Sequence, residues 1–187
     1  MRFRIICQPA VFMRRVALEQ AGYLDETFHF MLDHQLWLRI AGNSKILNIP
    51  SFLAAARHHP AAKNVSQSAG FAAETYRAVD WLQTDPAFAP HFAVDRRRIL
   101  GGANRLAGRY LLDGGQPSPA LKAYGKALYY WPSYALKHWG RMAFAFANLL
   151  GFRRLETWKA ERSAQTRFMP DDPRLKHWPG INLTPDT

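Results

Sequence analysis

The sequence predicts an α/β piece of short strands and helices followed by an all-helical region, and two observations carry this reading. Up to about residue 66, brief apolar runs punctuated by proline and glycine alternate with short helical patterns. Beyond Asn64 the apolar residues settle into helical spacing, at Phe71, Ala72, Tyr76, Val79 and Leu82. The composition allows both: of 187 residues, 48% are hydrophobic and 21% charged, which is globular and excludes a wholly disordered chain.

Taken in order, Ile5 to Arg15 is an apolar run broken by Gln8-Pro9. Proline donates nothing to a central ladder, so the run is a loop or edge strand leading into an extended piece, Ala10 to Met13. Val16 to Ala21 is a short helix stopped by Gly22, and Tyr23-Leu24-Asp25-Glu26 a turn. Asp33 to Ala41 is the best-marked helix of this part. Leu32, Leu36 and Ile40 share one face, and Gly42-Asn43 supplies the stop. Lys45 to Ile49 is a strand ending at Pro50, with Phe52 to Arg57 a second extended piece. The cluster Arg57-His58-His59-Pro60-Ala61-Ala62-Lys63 then hangs from a loop.

Helices follow over Ser68 to Gln83, Asp95 to Asp113 and Ser118 to Trp131. The last two, joined by Gly114-Gly115-Gln116-Pro117, resemble one tetratricopeptide-type hairpin. Ser133 to Phe152 is a fourth helical stretch, its apolar part from Met142 framed by Lys137, Arg141, Arg153 and Arg154. That part is too short to span a bilayer; it packs on the hairpin or lies on an anionic surface. Three regions result: 1–66, a helical extension over 67–154, and a polar, weakly ordered tail over 155–187.

The formal charge of +11 attracts phosphates, whether of nucleic acid, lipid headgroups or a nucleotide donor. No nucleic-acid reader motif accompanies it, so specific nucleic-acid binding is not expected. The single cysteine, Cys7, excludes an internal disulfide and a cysteine-based zinc site and points to a reducing compartment. No apolar run of about 18 residues and no secretory start is present, so the expected location is cytoplasmic, with peripheral attachment at the inner face of the membrane.

For chemistry, Asp33 has two readings that can hold together. It can cap a helix beginning at His34, a contribution of about 1 kcal/mol, or it can stay ionised at the helix N-terminus and act as a general base. His58-His59 is a solvated loop pair or part of a metal site that needs further convergent ligands. Arg57, His59 and Lys63 are a dense donor set of the kind that suits phosphate.

Gln8-Pro9-Ala10-Val11-Phe12-Met13-Arg14-Arg15, Ala21-Gly22-Tyr23-Leu24-Asp25-Glu26, His29-Phe30-Met31-Leu32-Asp33-His34-Gln35-Leu36-Trp37-Leu38-Arg39 and Arg57-His58-His59-Pro60-Ala61-Ala62-Lys63 together resemble the C-terminal, acceptor-side half of a family 2 glycosyltransferase domain of the GT-A type. The resemblance implies an inverting hexosyltransferase moving sugar from a nucleotide-sugar to a saccharide or lipid-linked acceptor, in glycan or cell-envelope polysaccharide synthesis. It makes Asp33 the catalytic base. Arg57 and Lys63 lie at the donor diphosphate, and His59 at a divalent metal, Mg or Mn. Gln8, His34, Gln35 and Trp37 fall on the acceptor side, Trp37 as core anchor or acceptor wall. Two departures stand out: Gln35 replaces a second acid common in the family, and no D-x-D motif occurs. The donor half is therefore expected before Met1 or encoded separately, and the chain alone is expected to be inactive. The alternative is a non-catalytic basic helical module that binds an anionic membrane surface or a protein partner.

Overall fold

The computed structural model describes residues 6, 8–49, 53–54 and 67–151. A 3-10 turn at Gln8–Ala10 precedes α1 (Arg15–Ala21) and α2 (Leu32–Asn43). Then come α3 (Ser68–Thr84), α4 (Ala89–Asp113), α5 (Pro117–Tyr130), α6 (Pro132–Ala135), a 3-10 turn at Leu136–His138, and α7 (Trp139–Leu149).

The expected α/β character of the first part is overturned: among the described residues every regular element is helical and no strand forms. Ala10 to Met13 and Lys45 to Ile49, expected as extended pieces, form no ladder, and Ala10 closes the first 3-10 turn. A strand holds only when a neighbour satisfies its N–H and C=O groups, and among the described residues neither segment has one. Phe12 and Leu47 face outward, at 80% and 89% exposure, while Val11 packs against the cluster of Ala21, Leu36, Trp37 and Ile40. Most of Phe52 to Arg57 lies outside the described residues.

Three antiparallel helices form the body. Between α3 and α4, the Phe71 and Tyr110 rings stack at 4.8 Å while Tyr76 donates to Asn104 Oδ1 at 3.1 Å, so the two helices run in opposite directions. Between α4 and α5, Gly101 sits against Trp131 and Gly108 against Tyr124, which sets the same antiparallel sense. Small residues permit this approach. A Cβ on Gly101 would come within 2.5 Å of the Trp131 Cβ, so the missing side chain is a packing requirement. The residues read as a tetratricopeptide-like hairpin are α4 and α5, and the predicted start at Asp95 is instead a kink (φ −104°, ψ 17°) inside a longer α4. The stretch from Ser133 is broken into α6, a 3-10 turn and α7, with Pro132 opening α6.

The main core contains Ala72, Ala78, Val79 and Leu82 of α3 and Ile99, Ala103, Leu106 and Ala107 of α4. Phe28 and Met31, from the loop before α2, are buried in this same cluster. A second, smaller core joins α1 to α2 through Ala21, Leu36, Trp37 and Ile40. The first part of the chain is thus seated on the helical body.

Glu74 of α3 makes that seat. Only 7% exposed, its carboxylate accepts from the backbone N–H groups of His29, Phe30 and Met31 at 2.6, 2.6 and 2.8 Å. The loop entering α2 offers these donors, and no side chain caps the helix itself. Charge-assisted bonds of this kind contribute more than neutral ones. Glu74→Gln keeps one acceptor oxygen but loses the charge and the second acceptor; it is expected to lower unfolding stability by about 2–3 kcal/mol, measured by urea denaturation.

Candidate functional site

The approach to α2 is a tightly bonded loop. Asp25 Oδ1 accepts from the Thr27 amide at 3.0 Å and from its hydroxyl at 2.6 Å, and the Thr27 hydroxyl is the main reason the Asp25 carboxyl lies below its usual range. Arg77 of α3 donates to the Thr27 carbonyl and lies over the Phe28 ring, 4.7 Å from its centroid. The Thr75 hydroxyl, which donates to the Phe71 carbonyl at 2.7 Å, also lies 3.3 Å from the Met31 sulfur. With Glu74, three residues of α3 therefore fix where α2 begins.

Asp33 stands in the first turn of α2, half-buried, and its Oδ1 accepts from the His34 amide at 2.7 Å. This differs from the expected cap: α2 starts at Leu32 and the cap position is Met31, so Asp33 lies inside the helix, while Glu74 takes the N–H groups of the loop ahead of it. Asp33 lies in the first turn, at the positive end of the α2 dipole. Its charge also reaches Tyr110 of α4, whose phenol is pushed up by burial and further by Asp33 and Asp113, against Arg109 and Arg105. Phe30, Phe71 and Tyr110 form a row of rings, with centroids 5.0 and 4.8 Å apart.

The other expected residues separate into distinct roles. Gln35 is 3% exposed, and its Oε1 accepts from Arg39 Nε at 3.0 Å. Arg39 then donates to the Ala21 carbonyl and, at 2.6 Å, to the Tyr23 carbonyl, so Gln35 positions the arginine that holds the end of α1. Gly22, at φ 75°, lies under that guanidinium, where a side chain would meet Arg39 Nη1 at 3.0 Å. The Trp37 ring is buried in the α1–α2 core, and its indole N–H has no partner among the described residues. Gln8 is exposed on the first 3-10 turn. Arg57, His59 and Lys63 lie outside the described residues, so the expected diphosphate and metal positions are not placed.

Among the described residues no group of three His, Cys, Asp or Glu side chains suits a metal ion. No helix of the described residues is long and apolar enough to cross a membrane.

Two contributors are absent from the sequence reading. Glu74 was legible in principle, because Phe71, Glu74, Ala78 and Leu82 share one stripe of α3 and a carboxylate on a core stripe needs a partner. Tyr110 was not, since only the packing of α4 on α3 brings it to α2.

His34 is mostly buried, and burial lowers its pKa against the opposing pull of Asp33. The unfolded chain then takes up the proton at higher pH than the folded one. This contribution to stability is present above the ordinary histidine pKa and is lost as pH falls from there to the folded-state value. An NMR titration of the imidazole resonances should place His34 below the free-histidine range, and His34→Gln should flatten stability between pH 7 and about 5. Comparisons with models of known protein families, with curated proteins and with solved structures find no match for the chain.

Proposed function

We propose that this chain serves the acceptor side of inverting glycosyl transfer from a nucleotide-sugar to a saccharide or lipid-linked acceptor, with Asp33 as the base. The observation that carries the reading is Asp33 itself, a half-buried carboxylate at a helix N-terminus. One of its oxygens is engaged with the helix, and the neighbouring polar residue Gln35 is occupied in bracing α1. The four matching sequence segments, in family order, support it.

Chemically, the acceptor hydroxyl oxygen attacks the anomeric carbon as the bond to the diphosphate breaks. The hydroxyl proton passes to the Asp33 carboxylate, and the negative charge leaves on the diphosphate. Its place in the first turn orients the Asp33 carboxylate through the His34 amide. The rings of Phe30, Phe71 and Tyr110 pack on one another beside it, and Tyr110 belongs to the main core, so they form a rigid apolar wall behind the carboxylate. Arg57 and Lys63 are the residues proposed to face the diphosphate, and His59 the divalent metal that would neutralise it.

Asp33→Asn separates base from scaffold, because the amide oxygen can still accept from the His34 N–H. Titrating the purified chain with oligosaccharides, the amide resonances of Asp33 and His34 should shift in both wild type and Asp33→Asn. In any assay that supports transfer, nucleoside diphosphate release should fall about 100-fold or more in the variant. Equal release in the two proteins removes the base, and no oligosaccharide response in either removes the acceptor site.

A second reading has its own observation. Leu136, Trp139, Phe146 and Leu150 are all exposed and recur at helical spacing on the outer side of the chain's last described turns, Trp139 at 69%. With the basic charge, this stripe suits a peripheral helix on an anionic membrane surface. Co-sedimentation with anionic vesicles that is lost in Trp139→Ser/Phe146→Ser would support it, and co-sedimentation unaffected by those changes would remove it.

A further inference from the structure

Four side chains able to carry positive charge converge where the end of α4 meets α6 and α7. Asp113 is shared by two of them: Arg141 Nη1 donates to Oδ1 at 3.1 Å, and Arg109 Nε lies 3.5 Å from Oδ2. Two turns earlier on α4, buried Arg105 donates to the Tyr134 hydroxyl at 3.2 Å and lies over that ring, 5.5 Å from its centroid. Tyr134 in turn meets His138 edge-on, with centroids 5.5 Å apart. The arrangement therefore links α4, α6, the following 3-10 turn and α7 through cationic and aromatic groups.

The charges do not balance in Arg109, Arg141 and Asp113 taken together, since two guanidinium groups share one carboxylate. His138 registers the excess. Burial first, and then the positive charges of Arg105, Arg141 and Arg109, hold its imidazole below the usual histidine range. The other ionisable groups at this place are Asp113 of α4, Tyr124 of α5 and Tyr134 of α6; the Tyr124 phenol is itself pushed up by burial. The site is reachable from solvent, with the Arg109 and Arg141 side chains 38% and 34% exposed. Like charges gathered in a partly desolvated place repel, and an entering anion relieves that repulsion.

We propose that Arg109, Arg141 and His138 form a binding site for a phosphate group, with Asp113 holding the two guanidinium groups in position and Arg105 and Tyr134 backing the imidazole. Guanidinium forks match phosphate oxygens, and a dianion can draw a proton onto His138 and gain a third partner. A carboxylate ligand would match one fork but would not supply the second charge. The phosphate can belong to a free phosphate ester or to a lipid headgroup. This inference stands on different residues from the acceptor reading and does not depend on it.

The test uses the full chain with inorganic phosphate as the probe. About 10 mM phosphate, compared with chloride at equal ionic strength, should raise Tm by about 3 °C. Arg109→Gln and Arg141→Gln should each lose most of that rise, while Arg98→Gln, on the first half of α4, keeps it. In wild type, the same phosphate should move the NMR-observed His138 pKa upward, a readout that stands even if a glutamine variant folds poorly. Vesicles of phosphatidylcholine with and without phosphatidate assign the source. Phosphatidate-dependent binding lost in Arg109→Gln makes the ligand a lipid headgroup, and stabilisation by phosphate without vesicle binding makes it a free ester. A His138 titration unmoved by phosphate overturns the proposal, as does a Tm rise retained in both Arg109→Gln and Arg141→Gln.

Discussion

A single buried carboxylate decides how the two parts of this molecule meet. Glu74 projects from α3 into the loop ahead of α2 and takes three consecutive backbone N–H groups. Burying an ionised group is tolerable only when its oxygens are fully engaged, and three short bonds to main-chain donors meet that condition. Phe28 and Met31 then enter the core of α3 and α4, and Arg77 and Thr75 add side-chain contacts along the same edge. Asp33, His34 and the rings around them take their positions from this anchorage and only secondarily from α2's own sequence.

On the far side of α2 the logic is repeated with opposite charge. Gln35 orients Arg39, and Arg39 takes carbonyl groups at the end of α1, where a helix presents unsatisfied acceptors. Gly22 leaves room for the guanidinium. The helix that carries the candidate base is held at one end by an anion reading N–H groups and at its middle by a cation reading C=O groups. Its apolar face, with Leu36, Trp37 and Ile40, fills the small core between them.

Much of this was legible in the chain, for physical reasons that differ by element. The helices α2, α3, α4 and α5 announced themselves because their apolar residues recur at helical spacing and glycine or proline marks ends, as at Pro86 and Gly114-Gly115, although α2 continues through the expected stop at Gly42-Asn43 to its cap at Ser44. Extended pieces were misread because an apolar run such as Lys45 to Ile49 specifies a strand only if another segment pairs with it, and nothing within the run reveals whether one does. Asp33 was found by type and position, yet the helix begins ahead of it, where Glu74, a residue more than forty positions away along the chain, takes the N–H groups of the entering loop. Interactions at such separation leave no local pattern. The same holds for Tyr110 beside Asp33, and for the meeting of Arg109 with Arg141 across Asp113.

The Glu74 clamp also orders events in time. The α4–α5 pair closes over a turn of a few residues, whereas the clamp joins positions 43 to 45 residues apart. Closing the longer loop costs more chain entropy and brings reward only once α3 is already formed, so contacts within the helical body favour earlier assembly. In that sequence the body is a template and α2 its last-docked passenger. By the same reasoning α2, joined to the body mainly through one loop and one carboxylate, is the element whose release would leave the helices beneath it packed.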